Sequence, residues 1–276
     1  MLNYLAWRRL VRKSWGRTKM KDREVCREKA FLFGLVGILL QTQVYADSTR
    51  LSVGAYLSSG DYGTTSDTEM QSYSLSLRRK TGRWTFKAST SYLRVDGEAT
   101  VLPDCESTGV TGDRKTRSGI GDLNLSVSNL VYYDAAEKLG LTVRGKVKVP
   151  TADEDKFLGT GEFDYTVELA PFVKKESNTF FGAIGYKVYG DTATTNYRNV
   201  WLLKAGLMHQ LNPKHALGVV GNYRQKTTAT RDDKASLMGF HTMKLDKDLR
   251  LQSYLIAGFT DSTADFAGGA SLMYDF

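Results

Sequence analysis

Apolar and polar residues alternate with a period of two through most of the chain beyond residue 46. In "SYSLSLR", Tyr73, Leu75 and Leu77 fall on one face and Ser72, Ser74, Ser76 and Arg78 on the other. "DLNLSVSN" sets Leu123, Leu125 and Val127 against Asp122, Asn124, Ser126 and Ser128, and "LTVRGKVKV" sets Leu141, Val143, Val147 and Val149 against Thr142, Arg144, Lys146 and Lys148. Successive side chains of a strand point to opposite faces, so each segment predicts a strand with one dry and one wet face. Cutting at turn-forming residues predicts twelve strands, near 49–60, 69–79, 83–96, 119–133, 140–150, 163–175, 179–190, 198–211, 215–228, 234–245, 249–260 and 265–276. Most are far longer than the common strand of about five or six residues, and roughly 9–11 tilted residues suffice to cross a bilayer.

The connectors alternate as well. "KTG" (80–82), "ESN" (176–178), "NPK" (212–214) and "DKD" (246–248) are tight, whereas 97–118 and 151–162 are long. An even-stranded antiparallel barrel with short periplasmic turns and longer outer loops has this rhythm. The expected fold is therefore all-β, a transmembrane antiparallel β-barrel of about twelve strands with both termini on the periplasmic side. Closure explains why the chain ends on "GGASLMYDF" with no polar tail, because the last strand must pair with the first. Phe266, Leu272, Tyr274 and Phe276 are expected to face lipid. Leu272, Tyr274 and Phe276 also resemble the C-terminal signal read by the barrel assembly machinery during membrane insertion. The rival is a secreted β-sandwich, which shares the alternation; strand length, only four prolines and interfacial-looking aromatics such as Trp84, Tyr92, Tyr165, Tyr186 and Trp201 oppose it.

Charge changes the picture once it is located. Ten of the 38 basic and three of the 30 acidic residues precede residue 47, leaving 28 against 27 in the remainder. A near-neutral body has no surplus of cations to neutralise phosphates, so no nucleic-acid partner is expected. The basic front end, "KDREVCREK", runs into the apolar "AFLFGLVGILL" and then "QTQVYA", with Val44 and Ala46 at the −3 and −1 places of a signal peptidase site. Residues 1–46 thus read as an N-terminal extension plus a cleavable signal, with Met20 as the expected true start and 47–276 as the barrel. The apolar run is about half of a membrane-spanning helix. Cys26 precedes the apolar run and Cys105 would be the lone mature thiol, so no internal disulfide is expected.

On the wet faces, Arg78, Lys87, Arg144, Lys146, Lys148, Lys187, Lys204, Arg224 and Arg250 are expected to line a mostly basic lumen together with Asp122, Asp164 and Glu168. The ladder Arg144, Lys146 and Lys148 would lie within cross-strand reach of Asp164 and Glu168. That arrangement suits either an electropositive eyelet for anionic solutes or a salt-bridged plug. His209 and His215 flank a tight turn and His241 sits mid-strand; no serine has the context of a catalytic triad. "TADEDKFLGTGEFD" lacks the acidic spacing of a calcium loop and reads as a solvated or lipopolysaccharide-bridging outer loop. "SGIGDLN" precedes a strand rather than opening a helix, which excludes a phosphate-cradling loop. No catalytic residue, cofactor or metal site is expected.

Residues 118–175, "SGIGDLNLSVSNLVYYD" and "LGLTVRGKVKVPTADEDKFLGTGEFDYTVELAPFVKK", resemble the phenol-degradation meta-pathway family of outer-membrane proteins. The likeness lies in a Gly-x-Gly-Asp strand start (Gly119, Gly121, Asp122), a Pro-Thr-Gly-Asp-like corner in which Ala152 replaces the glycine, and a Gly-x-Gly…Asp-Tyr return. The resemblance implies a barrel channel for aromatic or other small hydrophobic compounds and assigns no binding residue. The function expected is passive uptake of small molecules, aromatic or anionic, through an outer-membrane barrel gated by 97–118 and 151–162, with membrane lipid and lipopolysaccharide as surroundings. The alternatives are a non-conducting structural barrel, a lipid-modifying barrel enzyme and a fatty-acid-type transporter.

Overall fold

A computed structural model describes residues 47–62, 66–98, 114–192, 195–229 and 231–276. The expected signal segment with Val44 and Ala46, both cysteines, and the tip of the 97–118 loop lie outside the described residues. Thirteen hydrogen-bonded segments form one antiparallel sheet: β1 (Ser48–Gly60), β2 (Thr68–Thr81), β3 (Trp84–Glu98), β4 (Arg114–Ile120), β5 (Leu123–Asp134), β6 (Leu139–Val149), β7 (Asp164–Lys175), β8 (Asn178–Val188), β9 (Val200–Gln210), β10 (His215–Arg224), β11 (Lys234–Lys244), β12 (Leu249–Gly258) and β13 (Phe266–Asp275). Each pairs with its neighbours in order, and β1 pairs with both β2 and β13, so the sheet closes into a barrel. The thirteen segments fill twelve places, because β4 and β5 lie end to end along β3: β4 pairs with Tyr92–Glu98 and β5 with Trp84–Ser89.

The expected strand over 119–133 is therefore broken at Gly121 and Asp122, and the expected loop 97–118 is shorter at both ends because β3 and β4 extend the hairpin. The alternation continues in phase across Gly119 and Gly121, which hides the break. Two-residue turns join Thr81 to Trp84 and Lys175 to Asn178, with positive φ at Gly82 and Glu176. These turns, Ser48 and Asp275 all lie at one end, the turn end; the longer connections lie at the other, the loop end. Phe276 N donates to Thr49 O at 2.8 Å, so the last strand is tied to the first up to its final residue. Asp47, the expected first mature residue, accepts hydrogen bonds from Arg79, Thr81 and Gly82 N and fastens the start of β1 to the first turn.

Burial excludes the sandwich. Among the described residues, 38 large hydrophobics are exposed and only 12 hydrophobics are buried, three of them alanine. Leu255 is 75% and Phe266 73% exposed. A water-soluble protein rarely exposes one continuous apolar surface on this scale, whereas a barrel presents it to lipid. The outward set includes Leu75, Leu77, Val167, Leu203, Leu237, Leu272, Tyr274 and Phe276. Trp84, Tyr132, Tyr274 and Phe276 mark the turn end of this band; Tyr165, Tyr186, Trp201 and Tyr223 mark the loop end. This is the aromatic girdle of a spanning barrel.

The small core of the molecule is inside the barrel. Near the loop end Met70, Leu93 and Val95 point inward and pack with Tyr62, Leu158, Ala264 and Ala267. Toward the turn end, inward rings lie flat over the glycine directly opposite on the next strand: Phe172 over Gly140, Phe181 over Gly206 and Phe240 over Gly218. A methyl group at Gly206 would come within 2.6 Å of the Phe181 ring. Glycine at these positions keeps the rings against the wall and out of the lumen.

Candidate functional site: the charged lumen

The inward face has two unlike walls. Midway along β13 through β3 it is small and hydroxylic, with Ser52, Gly54, Ser72, Ser74, Ser76, Ser89, Ser91 and Ser271 at alternate positions. From β6 through β10 it is charged. Hairpin geometry sets Arg144 directly opposite Glu168 and Lys148 opposite Asp164. Glu168, only 1% exposed, bonds Arg144 at 2.9 Å and Lys146 at 2.6 Å, and Lys204 approaches from β9 at 3.8 Å. Asp164, 2% exposed, is held by Lys148 at 3.1 Å and Lys187 at 2.9 Å. A carboxylate buried this deeply stays charged only with such partners around it.

Several cations thus share each carboxylate, and their outer sides border a cavity of about 350 Å³ lined by Lys146, Lys148, Lys187, Lys204 and Arg224. Arg224 donates to the Tyr189 hydroxyl at 2.8 Å, and Lys187 lies 3.9 Å above the Tyr189 ring, an arrangement that orders both cations at the loop end. A second cluster sits at the turn end. Asp275 accepts a two-pronged bond from Arg50, at 2.7 and 2.9 Å, and meets Arg250 at 3.3 Å. Arg78 lies directly across from Arg50, and Lys87 directly across from Arg78.

Asp122 differs from its expected place on a strand face. It occupies the break between β4 and β5, where its Oδ1 accepts the amides of Thr151 and Ala152, both at 3.1 Å, while Oδ2 stands 3.6 Å from Lys148. The Thr151 hydroxyl donates to Gly121 O at 3.1 Å. These bonds turn the 150–163 connection inward. Leu158, 1% exposed, is set against Met70, Leu93 and Val95, and Lys148 donates to Thr160 at 2.8 Å. A Cβ at Gly119 would lie 2.7 Å from Leu158, so glycine there makes room for the loop. Beneath Leu158 is a cavity of about 270 Å³ that shares Asn124 and Lys148 with the charged cavity. The Gly-x-Gly-Asp stretch and the Pro-Thr-Ala-Asp corner are thus two halves of one fastening.

The acidic residues of this loop do not converge. Asp153 pairs with Lys156 at 2.9 Å, and that hydrogen bond holds its carboxyl below the usual carboxylate range. Asp164 belongs to the lumen. Among the described residues no group of three or more His, Cys, Asp or Glu could hold a metal ion. His209 is hydrogen-bonded to Asn178, and His215 to His241 at 3.0 Å with the rings stacked. Ser253 lies directly across from His241, but no serine hydroxyl bonds a histidine ring among the described residues.

Sequence reasoning did not single out Arg50, Asp275 or Leu158. Arg50 shares parity with Ser52 and Gly54, and Asp275 lies between two outward aromatics, so both could have been read as inward-facing. Leu158 lies beside Phe157 in an otherwise polar stretch, and nothing in the alternation marks which of the two turns inward.

A family model described as "Putative MetA-pathway of phenol degradation" matches residues 93–276. The chain belongs to this family. The match begins within β3 and takes in the fastening and the charged wall. No curated protein matches the chain in sequence. Among solved structures, the COG4313 outer membrane channel from Pseudomonas putida F1 is similar at 15% identity and a TM-score of 0.62, covering 85% of this chain and 97% of that one. The NanC porin is similar at 8% identity and a TM-score of 0.55, covering 82% and 98%. The KdgM porin is similar at 10% identity and a TM-score of 0.51, covering 82% and 99%. At these identities the likeness establishes the fold, an outer-membrane β-barrel, over nearly the full length of each channel.

Proposed function

We propose that the chain is a passive outer-membrane channel whose lumen favours small anionic solutes. The observation that carries this reading is the charged cavity, whose lining sets Lys146, Lys148, Lys187, Lys204, Arg224 and Lys234 beside two carboxylates, Asp164 and Glu168. A confined, low-dielectric passage lined by one sign of charge raises the local concentration of the opposite ion. Solutes would enter past Leu158 at the loop end, cross the basic wall and leave past the Arg50 cluster. On this reading the turn end faces the periplasm. Leu272, Tyr274 and Phe276, outward-facing on the closing strand, would be read by the barrel assembly machinery.

A second reading, an aromatic solute, is favoured by the family description and by the inward rings of Phe172, Phe181 and Phe240. The two readings separate in liposome swelling, where benzoate should outpace chloride only if the rings take part.

The decisive test is conductance of the purified, folded protein across a planar bilayer in a salt gradient. A reversal potential on the anion side is expected. Changing Arg144, Lys146 and Lys148 together to Gln should move it toward the cation side. No conductance step, or an unmoved potential in that variant, would remove the basic wall from the conducting path.

A further inference from the structure

The inward cations are not only a mid-lumen patch. Following directly opposed residues from strand to strand gives one unbroken row: Arg50 to Arg78, Arg78 to Lys87, Lys87 to Ser126, Ser126 to Lys146, Lys146 to Thr166 and Thr166 to Lys187. The row starts at the third residue of β1, at the turn end, and finishes one residue before the end of β8, at the loop end. Six strand spacings of about 4.8 Å make it about 29 Å long. Strands in such barrels tilt by about 35–45°, so a row perpendicular to them winds round the lumen and rises by about 17–20 Å. That is most of an apolar band about 25 Å tall.

Cations opposed directly across strands repel and cost stability. Yet Arg50 faces Arg78, and Arg78 faces Lys87, while Asp275 is already engaged by Arg50 and Arg250. The Arg78 Nε is enclosed with no hydrogen-bond partner. Lys87 has Arg78 directly across from it on one side and Ser126 on the other, so neither neighbouring strand sets a carboxylate opposite it. The lower part of the row is therefore under-neutralised, and it continues into the Glu168 cluster through Lys146.

We propose that this row is a spiral binding track for an elongated polyanion, a flexible chain bearing several carboxylates or sulfates that contacts successive cations at once. This deepens the anion-channel reading and rests on it. A small monoanion needs only the mid-lumen cavity, whereas a chain of about 20 Å would also engage Arg78 and Lys87.

The test measures block of chloride current by an extended hexa-aspartate peptide, about 20 Å long at roughly 3.3 Å per residue, with N-acetyl-aspartate and hexaserine as comparisons. Hexa-aspartate is expected to block at a concentration at least tenfold lower than N-acetyl-aspartate, and hexaserine not to block. Arg78→Gln combined with Lys87→Gln should weaken block by hexa-aspartate tenfold or more and leave that by N-acetyl-aspartate within twofold. If both anions block alike in the unaltered protein, or the double variant shifts them equally, the track is overturned while anion selectivity stands. If the unaltered protein prefers no anion, the channel reading itself fails. Should the double variant not fold, judged by loss of the faster unboiled band on a cold gel, the length preference of the unaltered protein decides alone.

Discussion

Two carboxylates inside the barrel each gather arginine or lysine cations, and the comparison separates scaffold from solute path. Glu168 on β7 is bonded by Arg144 and Lys146 and approached by Lys204; Asp275 on β13 is bonded by Arg50 and Arg250, with Arg78 across from Arg50. Glu168 has three cations within ion-pair distance and Asp275 two, and their burial differs more. The Glu168 side chain is 1% exposed beneath its cations, while that of Asp275 is 17% exposed. Removing the charge of Glu168 would leave cations packed round an empty centre, whereas the Arg50 group can regain water from the open turn end.

The largest effect is therefore expected from Glu168→Gln. Taking one partner from a buried ionic cluster costs about 3–5 kcal/mol, which should appear as a lower urea midpoint for loss of the heat-modifiable band. Asp275→Asn should cost less, about 2 kcal/mol, the worth of charge-assisted hydrogen bonds near water, although it also touches barrel closure. Equal midpoints for the two variants would break the comparison and show that burial does not rank the clusters. Both variants should strengthen anion preference, since each removes a negative charge from the lumen.

Much of the Glu168 cluster was legible in the sequence and little of the Asp275 cluster was. Arg144, Lys146 and Lys148 share a face by simple alternation, and the next strand of a hairpin must set its own polar face beside them, so Asp164 and Glu168 follow without knowing the register. Arg50 and Asp275 meet only because the first and last strands close the barrel, and that pairing spans 225 residues. Local alternation gives each residue its face but not its partner. The inward turn of 150–163 was less legible still. Loop backbone has no period, and the fastening depends on Asp122 leaving the strand pattern at a break that Gly119 and Gly121 conceal. The Phe–Gly pairs were hidden for the same reason as the Asp275 cluster, because glycine opposite a ring is a fact of register.

The smallest effect tests whether proximity alone makes a cluster. Lys204 stands 3.8 Å from Glu168, at the limit of an ion pair, and its side chain is 42% exposed. A long contact from a half-exposed ammonium contributes about 0–1 kcal/mol, and its loss also relieves repulsion from Arg144 and Lys146. Lys204→Gln should therefore leave the urea midpoint nearly unchanged while reducing anion preference in the reversal potential. A variant that lost stability as Glu168→Gln does would make Lys204 a full member of the scaffold. One that lost neither stability nor selectivity would place its ammonium outside both, and the cation surplus that draws anions would then reside in Lys187, Arg224 and the row below them.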